Sequence, residues 1–331
     1  MLSVIVPVYN ASQYLRRCLD SLLAQDVNAY EIICVNDGSI DESNAILAEY
    51  EISYPNVIRV LRQPNSGVSA ARNNGMSVAK GEVIAFCDSD DYLIPGAYRY
   101  LLETYWRDDL DVLKFNSITL DSVALKTWHE TNDVQGTVLF EGEGRKFYQQ
   151  AKPCFVWQSF YRKAFLDAHG IRFGAINYAE DIAFNLDLFM LNPRFMAVSS
   201  NVYRYTVSEG QLTRARGSEA MHKAVNDLIS LMGMMQTYAE VYQDMRQTLD
   251  EYKECLMLSC ASRMLSADYT KDEWVSVKAS LLQVKVLPMH IWGKYAKVIN
   301  LMMKYYAIYS VVGAFYRVLF IPYILPRLSR N

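Results

Sequence analysis

Val83-Ile84-Ala85-Phe86-Cys87-Asp88-Ser89-Asp90-Asp91 sets an unbroken apolar run directly against a knot of carboxylates. A run this short and this apolar reads as a strand buried on both faces, and the carboxylates then crowd the loop at its carboxyl end. Asp88, Asp90 and Asp91 repel one another unless a positive charge sits among them. Hard oxygen ligands suit Mg²⁺ or Mn²⁺, which hold one or two protein carboxylates and fill the rest of the shell with phosphate and water. No His or Cys cluster lies nearby to favour zinc.

The same pattern repeats upstream. Residues 2–8 form a β-branched run, and Tyr14, Leu15, Cys18, Leu19, Leu22 and Leu23 follow at helical spacing. Residues 32–35 give a second strand that stops at the turn-forming Asn36-Asp37-Gly38-Ser39, before a helical stretch through Leu47 and Tyr50. Residues 57–61 read as a third strand and 69–79 as a third helix, which makes the run at Val83 the fourth strand. Strands alternating with helices predict an α/β fold with a mainly parallel central sheet covered on both faces. Further on, 112–120 reads as a strand, the segments near Lys126 and Val138 as a hairpin, and 182–190 as a helix. From Ser218 to about 285 the pattern is helical, a region packed on the α/β body or appended to it.

With 331 residues, 51% of them hydrophobic and 21% charged, the chain can bury a full core and is not a disordered protein. Its net charge of −3 hides an asymmetry, because all 36 Asp and Glu precede Trp274 while eight of the 33 Lys and Arg follow it. The tail is also rich in apolar and aromatic residues from Tyr305 to Phe320, a mixture that suits a segment lying on a membrane surface. Arg317, Pro322 and the tyrosines make a simple span a poorer fit. The six cysteines are scattered and form no C-x-x-C pair, which reads as reduced core thiols. Met1 leads straight into the first strand with no basic leader, so the expected location is the cytoplasm.

In an open α/β sheet, ligands bind where the carboxyl ends of the strands converge. Pro7-Val8-Tyr9-Asn10, Asn36-Asp37-Gly38-Ser39 and Asp88-Ser89-Asp90-Asp91 all fall there. Each alone could be an ordinary turn; together on one edge they read as a site. The stretch Asn65-Ser66-Gly67-Val68-Ser69-Ala70-Ala71-Arg72-Asn73 opens a helix, with Arg72 either a surface residue or a fork for an anionic ligand. Taken alone, Glu180-Asp181 is an acidic pair favoured by a helix N-terminus, and Trp157 is a core aromatic.

These motifs, in this order over about 90 residues, resemble the family-2 glycosyltransferases of GT-A fold, of the bacterial surface-polysaccharide type. The likeness returns at 157–162 and at Glu180-Asp181. It implies that Pro7, Tyr9, Asp37 and Arg72 line the nucleobase and ribose pocket, with Asp37 accepting from a uracil-like N–H. Asp88 and Asp90 become the D-x-D pair, Asp90 the direct ligand of Mn²⁺ or Mg²⁺ and Asp88 nearer the ribose or sugar, with Asp91 a third candidate. Asp181 becomes the general base on the acceptor hydroxyl and Glu180 a neighbour of the acceptor, with Trp157 against a sugar face. Arg214 or Arg216 would reach the diphosphate from a loop after the base-bearing helix; the basic residue that many members carry near Thr206 is missing.

The resemblance implies an inverting transfer from a nucleotide-sugar donor, a UDP-sugar, to a polyprenyl-diphosphate-linked saccharide at the membrane surface, on the inner face of the cell membrane, with no nucleic acid among the partners. The corresponding division is a catalytic domain at 1–215 (nucleotide half 1–95, acceptor half 96–215), a helical extension at 216–273 and a membrane-associating tail at 274–331. A sugar-nucleotide uridylyltransferase would need a Gly-rich loop after the first strand, where the chain has Val8-Tyr9-Asn10-Ala11-Ser12, and a nicotinamide oxidoreductase would need G-x-G-x-x-G there. A non-catalytic membrane scaffold accounts for the tail and leaves the acidic and arginine motifs unexplained.

Overall fold

The computed structural model describes residues 1–120, 134–153, 155–207, 217–291 and 293–317. Two compact units emerge, one of residues 1–175 and 180–209, the other of residues 176–179 and 210–331.

Among the described residues, the first unit is built on a nine-stranded sheet. Strand β1 (Leu2–Val8) lies between β2 (Tyr30–Asp37) and β4 (Val83–Phe86), and β3 (Ile58–Gln63) flanks β2, all parallel. β1 is buried along its whole length, as expected of a strand covered on both faces. Beyond β4 the sheet turns mixed. β8 (Ser159–Arg162) runs antiparallel to both β4 and β6 (Val112–Leu120), whereas β9 (Arg194–Thr206) is parallel to β6. β5 (Tyr92–Leu93) and β7 (Val138–Glu143) pair antiparallel with β9, a partner for β7 that is distant in sequence. The expected strand near Lys126 lies outside the described residues.

Helices α1 (Leu15–Leu23), α2 (Ser43–Ser53) and α3 (Val68–Val78) connect the parallel strands, and α4 (Ala97–Arg107) leads to β6. Leu15, Cys18, Leu19 and Leu22 form the buried stripe of α1, at the i, i+3, i+4, i+7 spacing of an amphipathic helix. Gly75 marks how closely α3 approaches β1: a Cβ there would stand 2.5 Å from the Ile5 side chain. Shorter helices α5 (Gly144–Ala151) and α6 (Lys163–Ala168) precede α7 (Glu180–Met190), which begins at the acidic pair.

The second unit is helical: α8 (Ser218–Val241), α9 (Arg246–Ser266), α10 (Lys271–Gln283), α11 (Gly293–Lys304) and α12 (Tyr306–Phe315). Thr270 and Glu273 form a reciprocal capping box at the start of α10, which buries Trp274, Val277 and Leu281. Glu273 and Trp274 are thus neighbours within one helix. Residues 176–179 belong to this unit because Asp227 on α8 accepts the Asn177 and Tyr178 N–H groups at 3.1 and 2.9 Å.

Candidate active site

Parallel pairing of β1 with β2 and β4 brings Tyr9, Asp37 and Asp88 to one edge of the sheet, each just past or at the carboxyl end of its strand. Pro7 is buried in β1 opposite Val35, while Tyr9 is half exposed at the edge. The Asp37 carboxylate is buried and turned onto the loop before α3. Its Oδ1 accepts from Ser66 N–H and Gln63 Nε2, both at 2.8 Å, and its Oδ2 accepts from Gly67 N–H at 2.9 Å. This carboxylate thereby satisfies backbone donors at the start of α3, a place where negative charge is stabilised. Gly38, next in sequence, has φ +74°, and a Cβ there would meet the Asn65 backbone nitrogen at 2.8 Å.

Arg72 is an internal residue. It sits on the face of α3 that packs inward with Ser69 and Met76, and is 2% exposed. Its Nη1 donates to Glu180 Oε1 at 3.0 Å and to Asp181 Oδ1 at 2.7 Å, and its Nη2 donates to Asp88 Oδ1 at 2.9 Å. The guanidinium lies over the Phe173 ring, 5.1 Å from its centroid. A buried arginine persists only where its charge is answered, and here carboxylates from two distant elements converge on it. The aromatic floor is itself fixed: Phe173 stacks on Phe184, and the Asn73 side chain exchanges two hydrogen bonds with the Phe173 backbone.

Asp181 adds an acceptor contact from Val156 N–H at 3.2 Å. Burial pushes its carboxyl up to about 8; the Arg72 charge opposes the rise, and the charges of Glu180 and Asp88 add to it. A carboxylate that holds its proton to near neutral pH suits a general base.

The acidic turn splits into two kinds of residue. Asp88 and Asp90 are half-buried, whereas Asp91 is fully buried. Asp91 Oδ2 accepts from the Tyr203 hydroxyl and Oδ1 from Thr206 N–H, both at 2.7 Å, and the Tyr203 hydroxyl in turn accepts from Asp88 N–H at 3.1 Å. Asp91 therefore ties the turn to β9 instead of facing a ligand beside the other two. Burial, with the neighbouring Asp88 and Asp90 charges, drives its carboxyl well above the usual range. No set of three His, Cys, Asp or Glu side chains is gathered as a metal cage among the described residues.

Trp157 is also internal. At 3% exposure, and stacked with Phe155, Tyr203 and Tyr205 at centroid distances of 4.8, 4.3 and 5.6 Å, it has no face to offer a sugar. Arg214 and Arg216 lie outside the described residues.

Arg17 on α1 belongs to no sequence motif, yet it reaches the acidic turn. Its Nη2 donates to the Asp90 carbonyl at 2.8 Å and to Thr206 Oγ1 at 3.0 Å, and its guanidinium sits over the Tyr92 ring. A cation thus stands at Thr206 after all, delivered from a helix 189 residues away in sequence. Four of the cysteines, Cys18, Cys34, Cys87 and Cys260, are buried free thiols and Cys255 is an exposed one; Cys154 lies outside the described residues.

Residues 3–170 match the model of glycosyl transferase family 2. The chain is 35% identical over 219 residues to the uncharacterized glycosyltransferase YibD of Escherichia coli (strain K12), a match covering 64% of this chain and 63% of that one, a little under two thirds of the relative's length. Its fold is similar to that of S. aureus TarS 1–349, with a TM-score of 0.64 and 19% identity over 96% of this chain and 91% of that one; TarS 1–349 has also been solved with UDP-GlcNAc. It is similar too to the mannosyltransferase PcManGT from Pyrobaculum calidifontis in complex with GDP-Man and Mn²⁺, with a TM-score of 0.54 and 14% identity over 96% and 86% of the two chains. With the family model spanning half of its length, the chain belongs to glycosyl transferase family 2.

Proposed function

We propose that the chain transfers a sugar from a UDP-sugar to a hydroxyl of a polyprenyl-diphosphate-linked saccharide, with inversion at the anomeric carbon, in assembly of a bacterial surface polysaccharide. The observation that carries this reading is the convergence of Asp88, Glu180 and Asp181 on Arg72. It joins the turn suited to a donor diphosphate to the carboxylate suited to an acceptor hydroxyl.

Tyr9 offers a half-exposed ring at the sheet edge for the nucleobase, beside Pro7. Asp37 already accepts three hydrogen bonds, and a carboxylate has about four lone-pair sites, which leaves one for a uracil N–H. Asp90 and Asp88 fit a hard cation that needs only one or two carboxylates from the protein. When bound, Mn²⁺ or Mg²⁺ at these residues would neutralise charge developing on the departing diphosphate. Asp181 takes the proton from the acceptor hydroxyl, Arg72 holds it in place, and Glu180 meets the acceptor. The oxygen attacks the anomeric carbon as the nucleoside diphosphate leaves from the opposite face. Arg214 or Arg216 would add charge at the diphosphate.

The helical unit fits attachment to the cytoplasmic face of a membrane. No helix among the described residues is long and apolar enough to cross one. Tyr295, Val298, Leu301 and Tyr305 are exposed along α11 and its end, interleaved with exposed Lys294, Lys297 and Lys304. A thermal-shift screen of nucleotide sugars with Mn²⁺ tests the donor assignment, since a ligand at 100 times its Kd adds about 2.7 kcal/mol of stability. Stabilisation by UDP-sugars is expected; no response to any nucleotide sugar would overturn the reading.

A further inference from the structure

Phe155 is 47% exposed, although it belongs to an otherwise buried stack. Its ring lies 4.8 Å from that of Trp157 at an interplanar angle of 22°. Trp157 stacks in turn on Tyr203 at 4.3 Å and 19°, and the Tyr203 hydroxyl is bonded to Asp91 and Asp88 N–H. The pile thus runs from solvent to the acidic turn, and its outer ring is held from beneath by aromatic contacts that each add about 0.5–1.5 kcal/mol beyond area burial. The neighbour of Phe155 in sequence ties it to the site. Val156 N–H donates to Asp181 Oδ2 at 3.2 Å, so the exposed ring is one residue from the peptide that touches the candidate base.

We propose that Phe155 is the stacking platform for the acceptor, taking the apolar C–H face of a pyranose ring and presenting one of its hydroxyls toward Asp181. This deepens the glycosyl-transfer reading and rests on it. The electron-rich face of an aromatic ring attracts the slightly positive C–H groups on one side of a pyranose, and the contact is insensitive to which hydroxyls surround it. Such a platform fixes the ring plane and leaves the choice of sugar to polar neighbours.

The test is saturation-transfer NMR on the full-length protein with UDP and Mn²⁺ present, using methyl β-glycosides of glucose, galactose and N-acetylglucosamine as probes. Wild type should saturate the axial C–H face of at least one glycoside. Phe155→Ala should lose that signal at least fivefold, Phe155→Tyr should keep it, and the Kd for UDP should stay within twofold in both. An undiminished signal in Phe155→Ala, or UDP binding with no glycoside signal at all, overturns the platform. Glycoside binding that depends on Phe155 in a protein that never binds UDP would uphold the platform and overturn the donor reading instead.

Discussion

The Arg72 guanidinium donates to the Asp181 carboxylate over 2.7 Å while its other terminal nitrogen holds Asp88 at 2.9 Å. One buried cation therefore locks the acidic start of α7, Glu180 and Asp181, to the acidic turn after β4. Replacing it by Gln leaves Asp88, Glu180 and Asp181 facing one another without a counter-charge, and removing one partner of a buried ion pair costs about 3–5 kcal/mol. Urea unfolding should show this loss for Arg72→Gln and a smaller one for Arg72→Lys. A Gln variant as stable as wild type would deny the clamp.

The pH dependence of Asp181 follows from its surroundings. Burial raises the Asp181 carboxyl to about 8 against the pull of Arg72, whereas an unfolded chain releases that proton near pH 3.9. The folded state thus binds the proton more tightly, and the stability this contributes is full below about pH 4 and lost as pH rises to about 8. Wild type should lose stability between pH 5 and 8 relative to Asp181→Asn, measured by urea midpoint. Transfer rates should rise with pH over the same range and level off above about 8. Parallel stability profiles for the two proteins would contradict the shifted carboxyl.

Asp90 and Asp91 are adjacent in sequence and should fail in different ways. Asp90→Asn places an uncharged, poorer ligand at the turn, so Mn²⁺-dependent turnover should fall sharply with little loss of stability. Asp91→Asn cannot accept from both Tyr203 and Thr206 as the carboxylate does, and an unsatisfied buried group costs about 1–3 kcal/mol. Thermal unfolding together with a Mn²⁺ titration of turnover separates the two. Equal stability losses in both variants would refute this division of roles.

Much of this was legible because hydrophobic periodicity is local. The parallel strands from Leu2 to Phe86, the helix from Ser218 and the acidic start of α7 all follow from spacing within a few residues. What depended on distant partners was not. Arg72 lies on the inward face of α3 by its spacing from Ser69 and Met76, a signal that it is buried, yet its carboxylate partners come from as far as 109 residues away. Asp91 looks like a third ligand until β9 brings Tyr203 and Thr206 to it. Trp157 looks available to a sugar for the same reason, since the stack that buries it is completed by Tyr203 and Tyr205 of β9. Arg17 carries no local mark at all of its contact with Thr206.

The outward face of α11 predicts a salt-sensitive membrane contact. Each Lys near an anionic surface is worth about 1 kcal/mol, roughly fivefold in affinity, and salt screens it. Replacing Lys294, Lys297 and Lys304 together by Gln should therefore cut sedimentation with anionic vesicles about a hundredfold at low salt and leave thermal stability unchanged, because all three side chains are exposed. Wild type that stays in the supernatant at both low and high salt would sink the proposal.

Arg72 joins the proposed donor site to a proposed base that acts only on the acceptor, and Asp181→Asn tests this most directly. With Mn²⁺ present, calorimetric titration with UDP should give a Kd within a few fold of wild type, while transfer to a lipid-linked saccharide falls by at least a thousandfold, about 4 kcal/mol of lost transition-state stabilisation. A variant whose affinity for UDP collapses along with its activity would place Asp181 in the donor site and contradict the account.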